Sequence, residues 1–232
     1  MLRNCERGPI GAGAMGSEAY LPATVSESRF IFNGSHPVLE VAPTLLGCYI
    51  EHAGVGVRIS EVEAYDGSND PGAHGFRGKT PRNAVMFGPP GHLYVYFTYG
   101  MHYCINVVCG ASGQAAGVLL RAGEVVHGVD VARSRRGRST DRDLARGPAR
   151  LAQALGFVDL SRNGTDLTDA SSPVVLLCSR VPIDPRGIQK GPRVGVSGPG
   201  GDGAHFPWRF WIEGDRHVST YRAATVGKKT RR

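Results

Sequence analysis

The stretch from Pro90 to Val107, PGHLYVYFTYGMHYCINV, constrains the fold of this 232-residue chain more than any other. Two runs rich in aromatic and β-branched residues flank residues 99–101, where a glycine supplies the backbone freedom of a tight reversal. The stretch therefore predicts a β-hairpin. Burial in the core is the ordinary fate of aromatic strand residues, and we expect it for Phe97 and Tyr103. Tyr99, at the turn, is expected to be exposed and to need a partner.

Length and composition indicate one globular domain. Of the 232 residues, 41% are hydrophobic and 20% are charged, while 33 glycines and 15 prolines indicate many turns. No linker divides the chain into two parts that each bury a core. We therefore expect one domain over residues 29–222, a poorly ordered extension over 1–28 and a basic tail over 223–232.

Neither a membrane span nor a disulfide framework is predicted. Apolar runs fall short of the ~18 residues of a membrane helix, and the N-terminus lacks the basic-then-apolar order of a secretory signal. A cytoplasmic location without membrane partners is therefore expected. The cysteines are odd in number and lack CxxC spacing, which argues for reduced thiols and against a zinc site. They are Cys5, Cys48, Cys104, Cys109 and Cys178.

Positive charge is concentrated in two segments of the chain. Seven arginines between Arg133 and Arg150 face two aspartates, a local net charge of +5, and four further cations lie within residues 228–232. The whole chain carries a net charge of +7. Localised cationic segments are typical of proteins that bind a polyanion, because each neutralised phosphate releases counterions. A solvated loop and a basic chain end are the alternative, and charge alone does not decide between them.

Hydrophobic periodicity predicts two short helices and several strands. Apolar residues at helical spacing follow His36, and Gly47 ends that helix. A second helix begins with Pro148 in its first position and ends at Gly156. Strand-like runs cover residues 47–52, 57–65, 117–122, 173–178, 193–197 and 208–212.

The order of these elements predicts the α+β class. Hairpins joined by irregular loops, with helices at intervals, indicate a single mixed domain with a curved, mainly antiparallel sheet, flanking helices and a protruding β-hairpin. The connection from Asp66 to Pro90 shows no period, and irregular connections of this length are commonly functional.

Two acidic residues lie close together in ISEVEAY, residues 59–65. On a regular strand Glu61 and Glu63 share a face, where like charge raises the pKa of at least one carboxyl. Such a carboxylate is a usable general base, although a harmless surface pair is the commoner occurrence. Four further residues supply flat walls and polar anchors that suit a flat ligand such as a purine. They are Tyr65, His74, Tyr96 and Arg121.

Two polar residues have more than one interpretation. His74, set in GAHG, has no second His or Cys at ligand spacing, so we expect no metal site. Asn106 interrupts an apolar strand, where its amide either caps the strand ladder or reads the edge of a base. The spacing of the residues does not choose between these roles for Asn106.

A series of motifs follows one order along the chain. ISEVEAY is followed by Ala-His, nine residues after Tyr65, then by TPRNAVMFGPP and the hairpin, and then by VLLRA, GP-x-x-L and RVGV. In this order they resemble the alkyladenine, or 3-methyladenine, DNA glycosylases of the Mpg type. The resemblance covers about residues 30–222, and its longest parts, TPRN-x-x-MF and YVY-x-x-YGM-x-x-C-x-N, are far more specific than a short motif.

The resemblance implies a role for each matched residue. Glu63 matches the family's general base, which deprotonates the water that attacks C1′ of a flipped nucleotide, and Arg121 matches the arginine that helps to hold this water. Tyr99 matches the tyrosine that enters the minor groove and fills the gap in the base stack. Asn106 matches the asparagine that excludes guanine by a clash with its 2-amino group. The implied base pocket also includes Tyr65, His74, Tyr96 and Met86.

The resemblance further implies a monofunctional glycosylase of base excision repair that acts as a monomer on duplex DNA without metal or cofactor. The implied substrates are alkylated or deaminated purines of the 3-methyladenine, 7-methylguanine, hypoxanthine and ethenoadenine class. One rival is a non-enzymatic protein that only recognises distorted DNA, for which Glu63→Gln leaves function unchanged. The other is a nucleoside hydrolase acting on free small molecules, which needs no basic segments.

Overall fold

A nine-stranded sheet forms the body of the protein in the computed structural model, which describes residues 20–22, 32–179 and 181–224. The strands are β1 (Tyr20–Pro22), β2 (Tyr49–His52), β3 (Val55–Asp66), β4 (Leu93–Thr98), β5 (His102–Val108), β6 (Ala116–His127), β7 (Val174–Ser179), β8 (Ile188–Gly191) and β9 (Arg209–Ile212). The α-helices of the same ranges are α1 (Val38–Thr44), α2 (Val129–Arg136) and α3 (Pro148–Leu155). All strand pairs are antiparallel, in the order β1-β7-β2-β3-β6-β5-β4, and β9 joins β3 to β8. The predicted α+β class is confirmed.

Strand β3 lies at the centre of this sheet. Strand β2 pairs with its first half and β9 pairs with Glu61–Glu63, while β6 follows its other edge. Helices α1 and α3 both contact β3 and β6. They bury Val38, Val41 and Leu151 in the main core together with Ile59 and Leu120. Side chains on β3 and β6 are therefore held by a rigid scaffold.

The ladder between β3 and β6 is irregular beside Glu61. The register shifts on both sides of this residue, which leaves Ser60 unopposed on β3 and Arg121 unopposed on β6. Bulges of this kind turn a side chain away from its regular direction and are frequent next to functional sites. The bulge explains how an arginine is accommodated in the apolar strand β6.

The predicted hairpin is confirmed as β4 and β5, which pair from Leu93 with Val107 to Thr98 with His102. Its turn contains Tyr99 at φ +51° and Gly100 at φ +66°. This left-handed region costs a residue other than glycine roughly 1–2 kcal/mol. The hairpin therefore holds a tyrosine at its tip in a conformation that most residues avoid.

Other local predictions agree with the structure. Helix α3 begins at Pro148 and is followed by Gly156 at φ +84°, and Gly47 at φ +80° follows α1. The strand predicted over 117–122 is present but continues to His127. Strand β8 and helix α2, which includes Arg133–Arg136, were not predicted.

Two predictions are wrong. Residues 193–197 form a loop rather than a strand, because Arg193 turns inward to a buried ion pair with Asp70 and Gly195 takes φ +72°. Phe97 is 40% exposed rather than buried, because this end of the hairpin extends past the core. Within the described residues, the aromatic ring that packs against Phe97 is that of Tyr103, and the two ring centroids lie 4.9 Å apart.

The chain ends are described only in part. Residues 20–22, inside the segment expected to be poorly ordered, form β1 and pair with β7. The rest of the predicted extension, residues 1–19 and 23–28, and residues 225–232 of the predicted basic tail lie outside the described residues. Over the described ranges, no helix has both the length and the apolar character needed to cross a membrane.

Candidate active site

A cavity of about 360 Å³ opens between β3, β4, β5, β6 and the 193–197 loop. All the residues predicted for the site line it, although they come from distant parts of the chain. They are Glu63, Tyr65, His74, Met86, Tyr96, Tyr99, Asn106 and Arg121. Among the cavity-lining residues that the structure describes, Glu63 is the one carboxylate.

Glu63 is fully buried, and the protein holds both of its oxygens. The backbone N–H of Val194 donates to Oε1 at 2.7 Å, and the Tyr65 hydroxyl donates to Oε2 at 2.9 Å. The Arg121 Nη1 lies 3.4 Å from Oε1, an ion-pair distance. Because a carboxylate accepts about four hydrogen bonds, room remains for a further donor such as a water molecule.

Glu61 and Glu63 share a face of β3, as predicted, because both reach the guanidinium of Arg121. The Arg121 Nε donates to Glu61 Oε1 at 3.0 Å. Burial raises the pKa of Glu61, while the positive charge of Arg121 and hydrogen bonds from Ser219 oppose that rise. Burial disfavours the Arg121 cation, but the charges of Glu63 and Glu61 raise its pKa overall. Glu61 does not line the cavity and touches it only through Arg121.

Aromatic rings form the walls of the cavity. The Tyr94 and Tyr96 rings stack with centroids 5.5 Å apart at 24°, and the His74 ring meets Tyr96 edge-on at 4.6 Å. His74 Nδ1 lies 3.1 Å from the Tyr94 hydroxyl. Burial lowers the pKa of His74, with a smaller contribution from the positive charge of Arg82, so its imidazole is neutral near pH 7.

The aromatic hydroxyls also stay protonated. Burial raises the pKa of Tyr94 to about 12 and raises those of Tyr65 and Tyr96 as well. Burial similarly raises the pKa of the Cys104 thiol, which lines the cavity, to about 11. These groups therefore offer neutral polar atoms and flat rings rather than charge.

The position of Asn106 fits both predicted roles, capping the strand ladder and reading the edge of a base. Its Nδ2 donates across the strand pair to the Tyr94 carbonyl at 3.3 Å, as expected of an amide that caps a ladder. Asn106 also lines the cavity, together with the buried Met86. Its side chain is therefore anchored at one end and available to a ligand.

The hairpin tip projects beyond the cavity. Tyr99 is 80% exposed and Met101 is 68% exposed, although both are large apolar residues. The Arg82 Nη2 donates to the Phe97 carbonyl at 2.8 Å, which ties the tip to the connection before β4. Exposed apolar groups on an ordered tip indicate a contact surface.

Tyr94, which lines the cavity, was not predicted as a site residue, and neither were three residues that support the cavity from outside it. The buried Asn83 donates through Nδ2 to the His74 carbonyl at 2.8 Å and so fixes the 66–90 connection. Arg193 pairs with Asp70 at 2.5 Å, its side chain fully buried, and its guanidinium carbon lies 4.5 Å from the centre of the Tyr65 ring. Asn83 lies in the TPRN motif and Arg193 in the RVGV motif, so the resemblance of these motifs to the family was the sequence signal that could have identified both residues.

Most arginines of the 133–150 segment are held by the protein itself. Arg133 pairs with Asp130 and Asp141, and Arg135 donates to the carbonyls of Ala154 and Ala53. Arg136, Arg142 and Arg146 also have protein partners. By contrast, Arg138 and Arg150 are exposed and make no hydrogen bond or ion pair with the described residues.

These two arginines line a cleft of about 410 Å³ with Arg136, Ser139, Thr140 and Asp143. Burial lowers the pKa of Arg136, and the positive charge of Arg150 lowers it further. Pro148, which lines the central cavity, and Arg150, which lines the cleft, both lie in the first turn of α3. An anion bound in the cleft would relieve the repulsion between its cations.

Metal binding finds no support in the geometry of residues 20–22, 32–179 and 181–224. Within these ranges no three His, Cys, Asp or Glu side chains are grouped to hold an ion. The cavity itself presents a buried carboxylate, a guanidinium and neutral aromatic groups.

Comparison with known proteins gives one consistent result. The family model described as Methylpurine-DNA glycosylase (MPG) matches residues 32–216. A protein of Streptomyces avermitilis is 53% identical over 200 residues, which cover 84% of this chain and 92% of that protein. A protein of Frankia casuarinae is 49% identical over 191 residues, which cover 79% and 88%. Both carry the name "Putative 3-methyladenine DNA glycosylase".

Proposed function

The chain belongs to the methylpurine-DNA glycosylase family, and from this premise we propose that it flips alkylated or deaminated purines out of duplex DNA and hydrolyses their N-glycosidic bond. Membership of the family makes it a DNA glycosylase, a hydrolase of the N-glycosyl bond and of the 3-methyladenine type. The observation that carries the finer proposal is Glu63, the carboxylate of a cavity whose walls are Tyr65, His74 and Tyr96.

Glu63 acts as the general base in this proposal. It accepts a proton from a water molecule, whose oxygen attacks C1′ while the bond from C1′ to the purine nitrogen breaks and its electron pair leaves with the base. Val194 N–H and the Tyr65 hydroxyl orient the carboxylate, and Arg121 holds the attacking water beside it. A purine that alkylation has made cationic leaves as a neutral base and needs no proton, whereas a neutral purine such as hypoxanthine leaves as an anion and takes its proton from solvent.

The aromatic walls bind the extruded base. Tyrosine faces attract a cationic purine, worth about 0.5–2 kcal/mol for a good contact, but they discriminate weakly among neutral purines. Asn106 therefore disfavours neutral guanine by a clash with the 2-amino group of that base, while the positive charge of an alkylated guanine adds attraction to the tyrosine faces. Unstacking costs a few kcal/mol and least at damaged pairs, which adds selectivity for lesions.

Hydrolysis by the protein is tested by single-turnover release of base from a duplex that contains one hypoxanthine or ethenoadenine. We expect release that leaves an abasic site, and no covalent DNA adduct on borohydride treatment, because no lysine lines the cavity among the described residues. Tight binding without release would favour a protein that only recognises distorted DNA. Turnover of free inosine that is insensitive to salt would favour a nucleoside hydrolase.

Tyr99 is expected to fill the gap that the flipped base leaves. Tyr99→Ala should weaken the flipped complex by about 1–3 kcal/mol, the scale of stacking between a base and an aromatic side chain. The measurement is the fluorescence of ethenoadenine in a bound duplex, which rises when the base unstacks. Val158→Ala, an exposed apolar residue outside the hairpin, the cavity and the cleft, is the control. Equal fluorescence in the Tyr99→Ala and native complexes would refute the wedge role.

Arg150 is expected to contact a DNA phosphate beside the lesion. Arg150→Ala should reduce the slope of log affinity against log salt by about 1, equally for damaged and undamaged duplexes. Fluorescence anisotropy at several salt concentrations measures this slope. Arg186→Ala is the control, since Arg186 is 91% exposed but paired with Asp184 and outside both the cavity and the cleft. An unchanged slope for Arg150→Ala would leave the cleft without a role in DNA binding.

A further inference from the structure

A buried carboxylate behind the cavity has no part in the mechanism above. Glu61 is fully buried, and its oxygens accept three hydrogen bonds from two distant segments. Arg121 Nε and the Ser219 hydroxyl each donate to Oε1 at 3.0 Å, and the backbone N–H of Ser219 donates to Oε2 at 2.7 Å. Arg209 Nη1 lies 3.5 Å from Oε1. Burial of an ionised carboxylate is costly unless it is paired and hydrogen-bonded in this way.

We propose that Glu61 is a positioning residue that holds Arg121 at the correct distance from the base Glu63. This inference rests on the proposed function, because it assigns Glu63 the role given there. Glu61 takes the Nε edge of the guanidinium at 3.0 Å, which leaves Nη1 3.4 Å from Glu63. The bulge leaves Arg121 without a register partner on β3, and the contacts with these two carboxylates fix the position of its guanidinium.

Without the negative charge of Glu61, Arg121 has one buried anionic partner in place of two. A bidentate pair between an arginine and a single carboxylate is the geometry that a guanidinium favours. Such a pair with Glu63 would occupy the oxygens that receive the proton and displace the attacking water. Glu61 therefore keeps Arg121 from closing on the base.

The C-terminal segment also helps to hold Glu61 in place. Ser219 is 158 positions from Glu61 in sequence yet supplies two of its three hydrogen bonds. The Arg146 Nε donates to the Val218 carbonyl at 2.8 Å and so fixes the same segment. The end of the described chain thus sets the position of an arginine inside the cavity.

A change of charge at Glu61 acts on Glu63 in a defined direction. The charged and titratable groups near Glu63 lie on β3, β4, β5, β6, β9 and the 193–197 loop. Apart from Glu61 itself, these groups keep their charge when Glu61 is replaced by glutamine. They are Glu61, Tyr65, Tyr96, Cys104, Arg121, Arg193 and Arg209. Removing a negative charge and drawing Arg121 closer both favour the ionised form of Glu63.

The test is Glu61→Gln in single-turnover base release from a hypoxanthine duplex, measured from acidic to alkaline pH. We expect the maximal rate to fall about 10- to 100-fold, the scale of a small misplacement of catalytic groups, with unchanged duplex affinity. The acidic limb of the pH profile should move to lower pH. Glu124→Gln, which removes another strand carboxylate paired with an arginine, Arg58, should leave the profile unchanged.

Two results would overturn the inference. One is a native-like rate in Glu61→Gln, and the other is a reduced rate with the acidic limb at the native pH, the sign of a structural role alone. Should Glu61→Gln fail to fold, Ser219→Ala replaces it, because it removes one hydrogen bond to Glu61 and keeps the backbone one. Losing this hydrogen bond raises the pKa of Glu61 and favours its neutral form, so the limb should shift in the same direction by a smaller amount. An unmoved limb would reject the proposal. Absence of base release by the native protein would instead reject the proposed function.

Discussion

Replacing Glu63 by glutamine is expected to reduce base release at least 10²-fold while duplex binding stays close to native. A positioned general base contributes about 10²–10⁴-fold, and the amide cannot accept the proton of the attacking water. Glutamine keeps the size of the side chain, and its oxygen still accepts the hydrogen bond from the Val194 N–H. The variant therefore removes chemistry and leaves the cavity in place.

The measurement for Glu63→Gln is the single-turnover rate of hypoxanthine release, with anisotropy on the same duplex as the binding control. Glu51→Gln, on the neighbouring strand β2 and outside the cavity, should retain the native rate. Loss of release together with retained binding would establish Glu63 as the base. Release at the native rate by Glu63→Gln would place the proton acceptor elsewhere.

Local chemistry made parts of the fold predictable from the sequence. The hairpin around Tyr99 depends on residues that are neighbours in the chain, and so do the proline and glycine limits of α3. The eight site residues were identified from polar side chains in apolar strands and from the resemblance, and all of them line one cavity.

Long-range contacts explain what the sequence did not predict. Arg193 and Asp70 are 123 positions apart, and no periodicity relates them. The RVGVS run has the composition of a strand, but an inward arginine and a left-handed glycine exclude that conformation. Likewise, the pair Glu61 and Glu63 was visible on β3, but the bulge at Arg121 is a property of two paired strands.

The buried pair of Arg193 and Asp70 is expected to be the most sensitive point of the fold. Asp70→Ala should lower the free energy of unfolding by about 3–5 kcal/mol, because it leaves a buried arginine without its counter-ion. Both side chains are fully buried, and the Arg193 guanidinium also donates to the carbonyls of Ala64 and Gly200. Urea unfolding at pH 7 measures the loss.

A surface pair provides the matched control for Asp70→Ala. Asp130→Ala breaks an ion pair with Arg133 in which the aspartate side chain is 92% exposed, so its stability should stay close to native. A loss below about 1 kcal/mol in Asp70→Ala, the scale of an exposed pair, would contradict the argument from burial.

A double variant separates stability from function at this pair. Asp70→Leu with Arg193→Met removes both charges, and replacing a buried pair by apolar residues is often neutral, so part of the lost stability should return. Base release by the double variant should be lower than that of the native protein, because the Tyr65 ring loses the guanidinium packed against it and the Val194 N–H loses the anchor of the residue before it. Recovery of both properties would mean that the pair contributes to the cavity through stability alone. Recovery of stability without recovery of base release would mean that the pair positions Tyr65 and Val194 against Glu63.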